Sequence, residues 1–462
     1  MKLENDLGRD KISRLVLRIA LPSMLAQFVN VLYSIVDRMF VGNIPETGNL
    51  SLAGVGVCGP ILTMIGAFAF LVGFGGTPLM GISLGEGKKD RASDILANSF
   101  LLIGVISVFV TGISFLIKEP MLRLFGATDN AYIYAEQYFE IYVSGTVFSL
   151  ISVGMAQFII AQGYSKMGMV SVIIGALMNI ALDPLFIYVF DMGVRGAALA
   201  TVISQAARAS CVLYFLFRKA DIKITFGNYD IKTILNIIKL GLSPFIIIAL
   251  DNVMIIAMNA LLKTYGQENC DMLITVNTIV QSFMLIVTMP LGGISGSTQC
   301  ILSYNYGAGN TDRVKKGQKY IFLLCVIFTA IMFVSARLGG KIFASMFTSD
   351  ENIRDLSFRA IKISTLFIVP LGIQYEIVDG FTSMGLVKYS LPLSMFRKCV
   401  YFIALFIIPH FFEASKIFYA EPISDISALI CSSTVYFLTI GKVLKKRENY
   451  IRSCKDIKER NS

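Results

Sequence analysis

Apolar runs of about twenty or more residues recur along the whole chain, separated by short polar stretches, and each is long enough to cross a hydrocarbon core of about 30 Å. Twelve helical spans are predicted, at 15–41, 52–83, 95–117, 135–161, 168–190, 196–217, 238–262, 273–305, 320–338, 357–384, 388–411 and 424–441. The second and eighth exceed what a simple crossing needs, so they should tilt or extend beyond the bilayer. Prolines within spans (Pro22, Pro60, Pro184, Pro244, Pro290, Pro370) mark expected bends. The GFGG and LGGISG stretches would permit close helix approach.

The pattern repeats itself. Gly85, Gly87, Asp90 and Arg91 return as Gly307, Gly309, Asp312 and Arg313, an offset of 222 residues. At the same offset Pro22 meets Pro244, Phe125 meets Phe347, Gly163 meets Gly385 and Lys166 meets Lys388. Six spans fall in each half, so both halves begin on the same side of the membrane, and the repeats are parallel rather than inverted. The predicted fold is an all-α integral membrane protein with 12 transmembrane helices in two parallel six-helix repeats, an N-lobe (1–222) and a C-lobe (223–462), around a central cleft. The polar, basic segment 218–237 would join the lobes.

Composition agrees with the pattern: 55% of the 462 residues are hydrophobic and only 16% charged. A soluble chain of this length would need more charge to cover its surface. The eight cysteines are scattered singly, with no metal-ligand spacing and no disulfide framework. The single histidine, His410, sits near the outer end of an apolar run. Neither a cofactor nor an enzymatic centre is expected.

A net charge of +10 could point to nucleic acid, but the basic residues concentrate in short loops and the C-terminal tail. They read as topology signals. With both termini in the cytoplasm, most Lys and Arg fall on the inner side, including Lys388, Arg397 and Lys398 around the start of span eleven. The outer segment 337–362, with Arg337, Lys341, Arg354, Arg359 and Lys362, runs against that bias. No cleavable leader is expected, since the first run carries Asp37 and Arg38 near its end.

An ionisable side chain at mid-membrane costs about 2.5–3.5 kcal/mol on insertion scales, so those retained usually face an interior and serve a function. The candidates are Asp37, Asp183, Arg208, Asp251, Glu376 and Asp379. Spans one and five run outward and span six returns, which puts Asp37, Asp183 and Thr201 at one depth, roughly 10 Å below the outer surface. Asn179, four residues before Asp183, shares its helix face. Two carboxylates, an amide and a hydroxyl form an oxygen-rich site that suits Na⁺, with Asp37 and Asp183 as its charged ligands; protons could replace the ion by titrating them. The plainer expectation is that Asp37 pairs with Arg38 and that Asp183 caps backbone beside Pro184.

In the second half Asp251, Glu376 and Asp379, with Met254 and Gln281, would make an acidic, adaptable interior for organic cations. The repeat offset places Asn259 opposite Asp37 and Leu405 opposite Asp183, so the halves share a frame but not this chemistry.

The segments ALPSMLAQFVNVLYSIVDRMFVG, LGEGKKDRA, QGYSKMGMVS and NIALDPLFIYVFDMGVRGAALAT resemble MATE (multidrug and toxic compound extrusion) transporters, nearest the DinF-like and MepA-like bacterial branches. The resemblance spans essentially the whole chain. It implies two six-helix lobes around a V-shaped cavity in the cell inner membrane. It also implies export of cationic amphipathic compounds against Na⁺ or H⁺. Asp37, Asn179, Asp183 and Thr201 match the family's N-lobe cation site, whereas Asp251, Glu376 and Asp379 match its C-lobe acids less closely. A monomer is expected, with small organic cations and the bilayer as its partners and no nucleic acid.

Other classes fit less well. No G-x-x-x-x-G-K-[ST] sequence is present for ATP, so transport would draw on an ion gradient. A lipid-linked sugar flippase of the same superfamily would call for a basic interior able to hold pyrophosphate. Only Arg38 and Arg208 speak for one.

Overall fold

The structure is a computed structural model and describes residues 5–266 and 269–460. Among these there is no strand. Ten helices are long and apolar enough to cross a membrane alone, and two bent pairs bring the number to twelve. The chain is therefore a multi-span helical membrane protein.

The first half comprises α1 (Ile12–Gly42), α2 (Gly48–Gly85), α3 (Lys89–Leu116), the short α4 (Lys118–Leu124), α5 (Asp129–Ser144), α6 (Thr146–Ala161), α7 (Ser165–Pro184) and α8 (Gly193–Tyr214). The second half comprises α9 (Ile231–Tyr265), α10 (Cys270–Gly307), α11 (Thr311–Leu338), α12 (Gly340–Ser345), α13 (Glu351–Ser364), α14 (Ile368–Ser383), α15 (Val387–Phe411) and α16 (Ala420–Arg460). The repeat seen in the sequence recurs in these bounds. α2, α3 and α6 map onto α10, α11 and α14 with both ends shifted by the offset that relates Gly85 to Gly307. The landmark glycines have a conformational reason to recur. Gly87 and Gly309 adopt φ +76° and +73°, and Gly163 and Gly385 adopt +91° and +74°, values that L side chains rarely tolerate.

Predicted spans four and ten are not single helices. α5 and α6 meet at 56° around Gly145, and α13 and α14 meet at 47° just before Pro370. These breaks occupy equivalent places in the repeat. The basic C-terminal tail is not loose beyond residue 441, because α16 continues to Arg460. Arg447 on it donates to the carbonyls of Tyr306 and Gly307 at 2.9 and 2.8 Å, satisfying the end of α10. In the basic segment 337–362, Lys341 pairs with Asp355 at 2.7 Å and Arg354 with Glu351 at 3.0 Å.

By its contacts the chain forms two compact units, Met1–Asp6 with Leu21–Ile248, and Leu7–Ala20 with Ala249–Ser462. These units and the sequence halves are not the same partition. Residues 7–20 pack with the second half, and residues 223–248 pack with the first. In the second unit, Arg313 donates to the carbonyls of Leu7 and Asp10 at 3.1 and 2.9 Å. In the first, the linker is held by Gln162, which accepts from the Ile222 amide at 2.8 Å, and by Asn98, which accepts from the Asp230 amide at 3.0 Å. Both units thus claim the N-terminal part of a helix whose remainder belongs to the other, and the chain changes unit near Pro22 in α1 and shortly after Pro244 in α9.

The GFGG stretch does bring backbones together. A methyl group on Gly75 would lie 2.2 Å from the Ile237 carbonyl oxygen, and one on Gly241 would lie 1.7 Å from that of Leu71. Gly292 of the second glycine-rich stretch, by contrast, faces open space. Because the obstacle at Gly241 is backbone, Gly241→Ala should lower stability by about 1–3 kcal/mol or more. Thermal unfolding in detergent would read this, with Gly292→Ala as the near-neutral comparison.

Candidate carboxylate site

The first unit gathers all four residues expected to form the cation site. α1 carries Asp37 five residues before its end. α7 carries Asn179 and Asp183 one turn apart, and a single π-helical turn, Leu185–Val189, follows Pro184. π-type turns within helices frequently occur at functional sites, where an extra residue re-aims its neighbours. Gly193, at φ +54°, opens α8, which returns with Thr201.

Asn179 Nδ2 donates to Asp183 Oδ1 at 3.1 Å and to Thr201 Oγ1 at 3.5 Å. The Thr201 hydroxyl donates to the Ala197 carbonyl at 3.0 Å, which leaves its oxygen lone pairs toward the site. The Tyr138 hydroxyl of α5 lies close to Thr201. The carboxyl groups of Asp37 and Asp183 approach within hydrogen-bond reach of one another. Asp183 is fully buried and Asn179 is 2% exposed.

The chemistry lies in what these atoms lack. Asp37 Oδ1, Asn179 Oδ1 and Asp183 Oδ2 are all buried with no hydrogen-bond donor. Arg38 is exposed and lies within electrostatic reach of Asp37 but gives its Oδ1 no hydrogen bond, and Asp183 Oδ1 accepts from Asn179. Two carboxyl groups in contact cannot both remain charged in a low-dielectric interior without a compensating positive charge. Among the described residues no group of three or more His, Cys, Asp and Glu exists that would favour a divalent ion. Two carboxylates supplemented by neutral oxygens match a small hard monovalent cation, or a shared proton.

The second unit is arranged differently. Asp251 is ion-paired with Lys398, and Arg397 donates to Asp425 at 2.9 Å and to Glu421 at 2.8 Å. Arg397 and Lys398 therefore do not belong with the inner-side loop charges: both are buried within α15. Asp251 and Asp379 both lie within electrostatic reach of the Tyr375 hydroxyl, and Asp379 lies close to Ser295 and Gln299 of α10. Glu376 is fully buried and both of its oxygens lack a donor. It faces Cys325 and Tyr436 rather than α10. Met254 is buried one turn beyond Asp251, while Gln281 is half-buried on α10 with no recorded bond to the acids. The interior of this unit thus holds an ion-paired cluster built on Arg397 and Lys398, beside two acids, Glu376 and Asp379, that have no ion pair among the described residues. Arg397, Lys398, Glu421 and Asp425 are absent from the sequence-based candidates. The signal that could have found them was the pair of basic residues about ten positions into an apolar run.

A family model described as MatE matches residues 22–185 and again 245–407, once in each repeat. The multidrug export protein MepA of Staphylococcus aureus is 22% identical over 443 residues, covering 93% of this chain and 95% of that one. Among solved structures, the outward-facing conformation of a multidrug resistance MATE family transporter of the MOP superfamily aligns with TM-score 0.88 and 22% identity, over 95% of this chain and 98% of that one. A MOP superfamily transporter from Pyrococcus furiosus, whose title describes a binding pocket of reverse polarity suggesting a different function, aligns equally well, with TM-score 0.88, 22% identity and the same coverage.

Proposed function

Since the chain belongs to the MatE family of membrane transporters, we propose that it exports cationic amphipathic compounds from the cell by exchange for Na⁺ or H⁺. The carrying observation is the Asp37–Asp183 pair with its three donorless oxygens. A site of this kind is stabilised by a small cation and destabilised when that cation leaves, so its occupancy can bias the transporter between two states. Coupling requires that ion and drug favour different states, because a ligand with equal affinity for both shifts nothing. α1 carries Asp37 outward of Pro22 and packs its inner segment with the other unit, which gives the ion a mechanical route to act. The MepA relatives, named as multidrug export proteins, support the substrate class. The expected setting is the plasma membrane, with both termini cytoplasmic and the protein monomeric.

The test is ethidium efflux from proteoliposomes under an imposed Na⁺ or pH gradient. Efflux should depend on one of the two and vanish when that gradient is collapsed. A second reading, transport of a lipid-linked sugar, draws on the half-buried Arg208 and the buried Arg397 and Lys398. Two of these are already neutralised by Glu421, Asp425 and Asp251, which leaves Arg208 alone. No response to either gradient would favour that reading.

A further inference from the structure

Arg208 lies on α8 two turns inward of Thr201, a displacement of about 10 Å along the same helix face. Its aliphatic stem runs over Gly175 of α7: a Cβ there would sit 3.5 Å from Arg208 Cβ and 3.6 Å from Cδ. The residue is half-buried: its Nε is buried without an acceptor, and no ion pair to it exists among the described residues. The neighbouring polar atoms do not satisfy it. Ser204 Oγ and Gln205 Oε1, one turn before it on α8, are themselves buried without donors, although Gln205 Nε2 does reach the Tyr142 hydroxyl at 3.1 Å. Tyr33 of α1 lies within electrostatic reach of Arg208 on one side and of Asp37 and Asp183 on the other. The interior of this unit therefore runs from a negative pair, past a tyrosine, to a single positive charge.

A guanidinium stays protonated in proteins, so this charge cannot be relieved by losing a proton. Held partly out of water without a counterion it is costly, and the usual remedy is an anion held in a forked, two-point contact. The second unit shows the contrast: there Arg397 receives two carboxylates from its own chain. Arg208 receives none.

We propose that Arg208 is the anion-binding subsite of the transported substrate. The preferred substrates of this chain are then zwitterionic amphiphiles, with a carboxylate or similar anion on Arg208 and a cationic amine displaced toward Asp37 and Asp183. This inference rests on the drug-export reading, and narrows it from organic cations to molecules bearing both charges.

The test is equilibrium binding to the purified full chain in detergent, without any ion gradient, so that it does not depend on transport. The probes are tetramethylrhodamine, which carries a carboxylate, and its methyl ester, which does not; fluorescence polarisation reports both. Wild type should bind the zwitterion at least about tenfold more tightly than the ester. Arg208→Gln should bring the ratio close to one, and Arg208→Lys, which keeps the charge but not the fork, should retain an intermediate preference. Equal affinity of wild type for the two dyes would overturn the proposal. So would a preference that survives Arg208→Gln, an equal loss of both dyes in Arg208→Gln and Arg208→Lys, or the absence of saturable binding by either. Failure of gradient-driven ethidium efflux, in contrast, would overturn the export reading and leave the binding ratio to stand as measured.

Discussion

Asp183→Asn should reduce gradient-driven ethidium efflux from proteoliposomes by at least about tenfold, toward the rate of empty vesicles, while leaving the fold intact. Asparagine keeps the size of the side chain and an oxygen to accept from Asn179 Nδ2, now at 3.1 Å from Asp183 Oδ1. It removes the charge and the ability to take up a proton. With one carboxylate gone, the remaining Asp37 has no like-charged neighbour to share an ion with, and the exchange loses its counter-ion. Asp37→Asn should act in the same direction. Asn179→Ala should weaken coupling less, because it deletes one neutral oxygen and the donor that aims Asp183 toward Thr201. Efflux rates measured with and without the gradient separate lost coupling from lost drug binding, since passive equilibration through the site would persist in the first case only.

The largest effect on stability should come from the second unit. Arg397→Met should destabilise the protein by about 3–5 kcal/mol, because it strands Asp425, which is fully buried, and Glu421 beside it. The cost arises from the orphaned carboxylates rather than from the lost attraction. Combining Arg397→Met with Asp425→Leu and Glu421→Gln should therefore recover most of the loss, since replacing a whole buried ion cluster by apolar or neutral groups is often neutral. Thermal unfolding in detergent distinguishes the two: a large drop for the single substitution, and a much smaller one for the triple. Equal destabilisation by both would mean that packing, not charge compensation, holds α15 against α16.

Much of this architecture was legible in the chain itself. Apolar run length located the crossings, and the Gly87/Gly309 and Gly163/Gly385 pairs located the repeat, because those positions need a left-handed backbone in both halves. The carboxylate site could be read because helical rise converts sequence distance into depth, and depth brought Asp37, Asp183 and Thr201 together. Three features escaped. The bend at Gly145 interrupts a run whose hydropathy is continuous and which holds no proline, unlike the bend beside Pro370, so nothing in the pattern marks it. The exchange of helix segments between units depends on contacts such as Arg313 with Leu7, some three hundred residues apart in the chain. The ion-paired cluster of the second unit was missed because Arg397 and Lys398 stand about ten residues into an apolar run, where a loop-side basic residue and a buried one look alike. Pairing decides between them, and pairing is a property of the fold.

If the two acids of the first unit hold the exchanged ion, adding drug must expel it. Ion release is the direct readout: purified protein in weakly buffered detergent solution, with a pH or Na⁺ electrode following the addition of saturating ethidium. Wild type should release about one ion per protein, as competition between two mutually exclusive ligands requires, and Asp183→Asn should release close to none. Undiminished release from Asp183→Asn, or no release of either ion from wild type, would contradict the account.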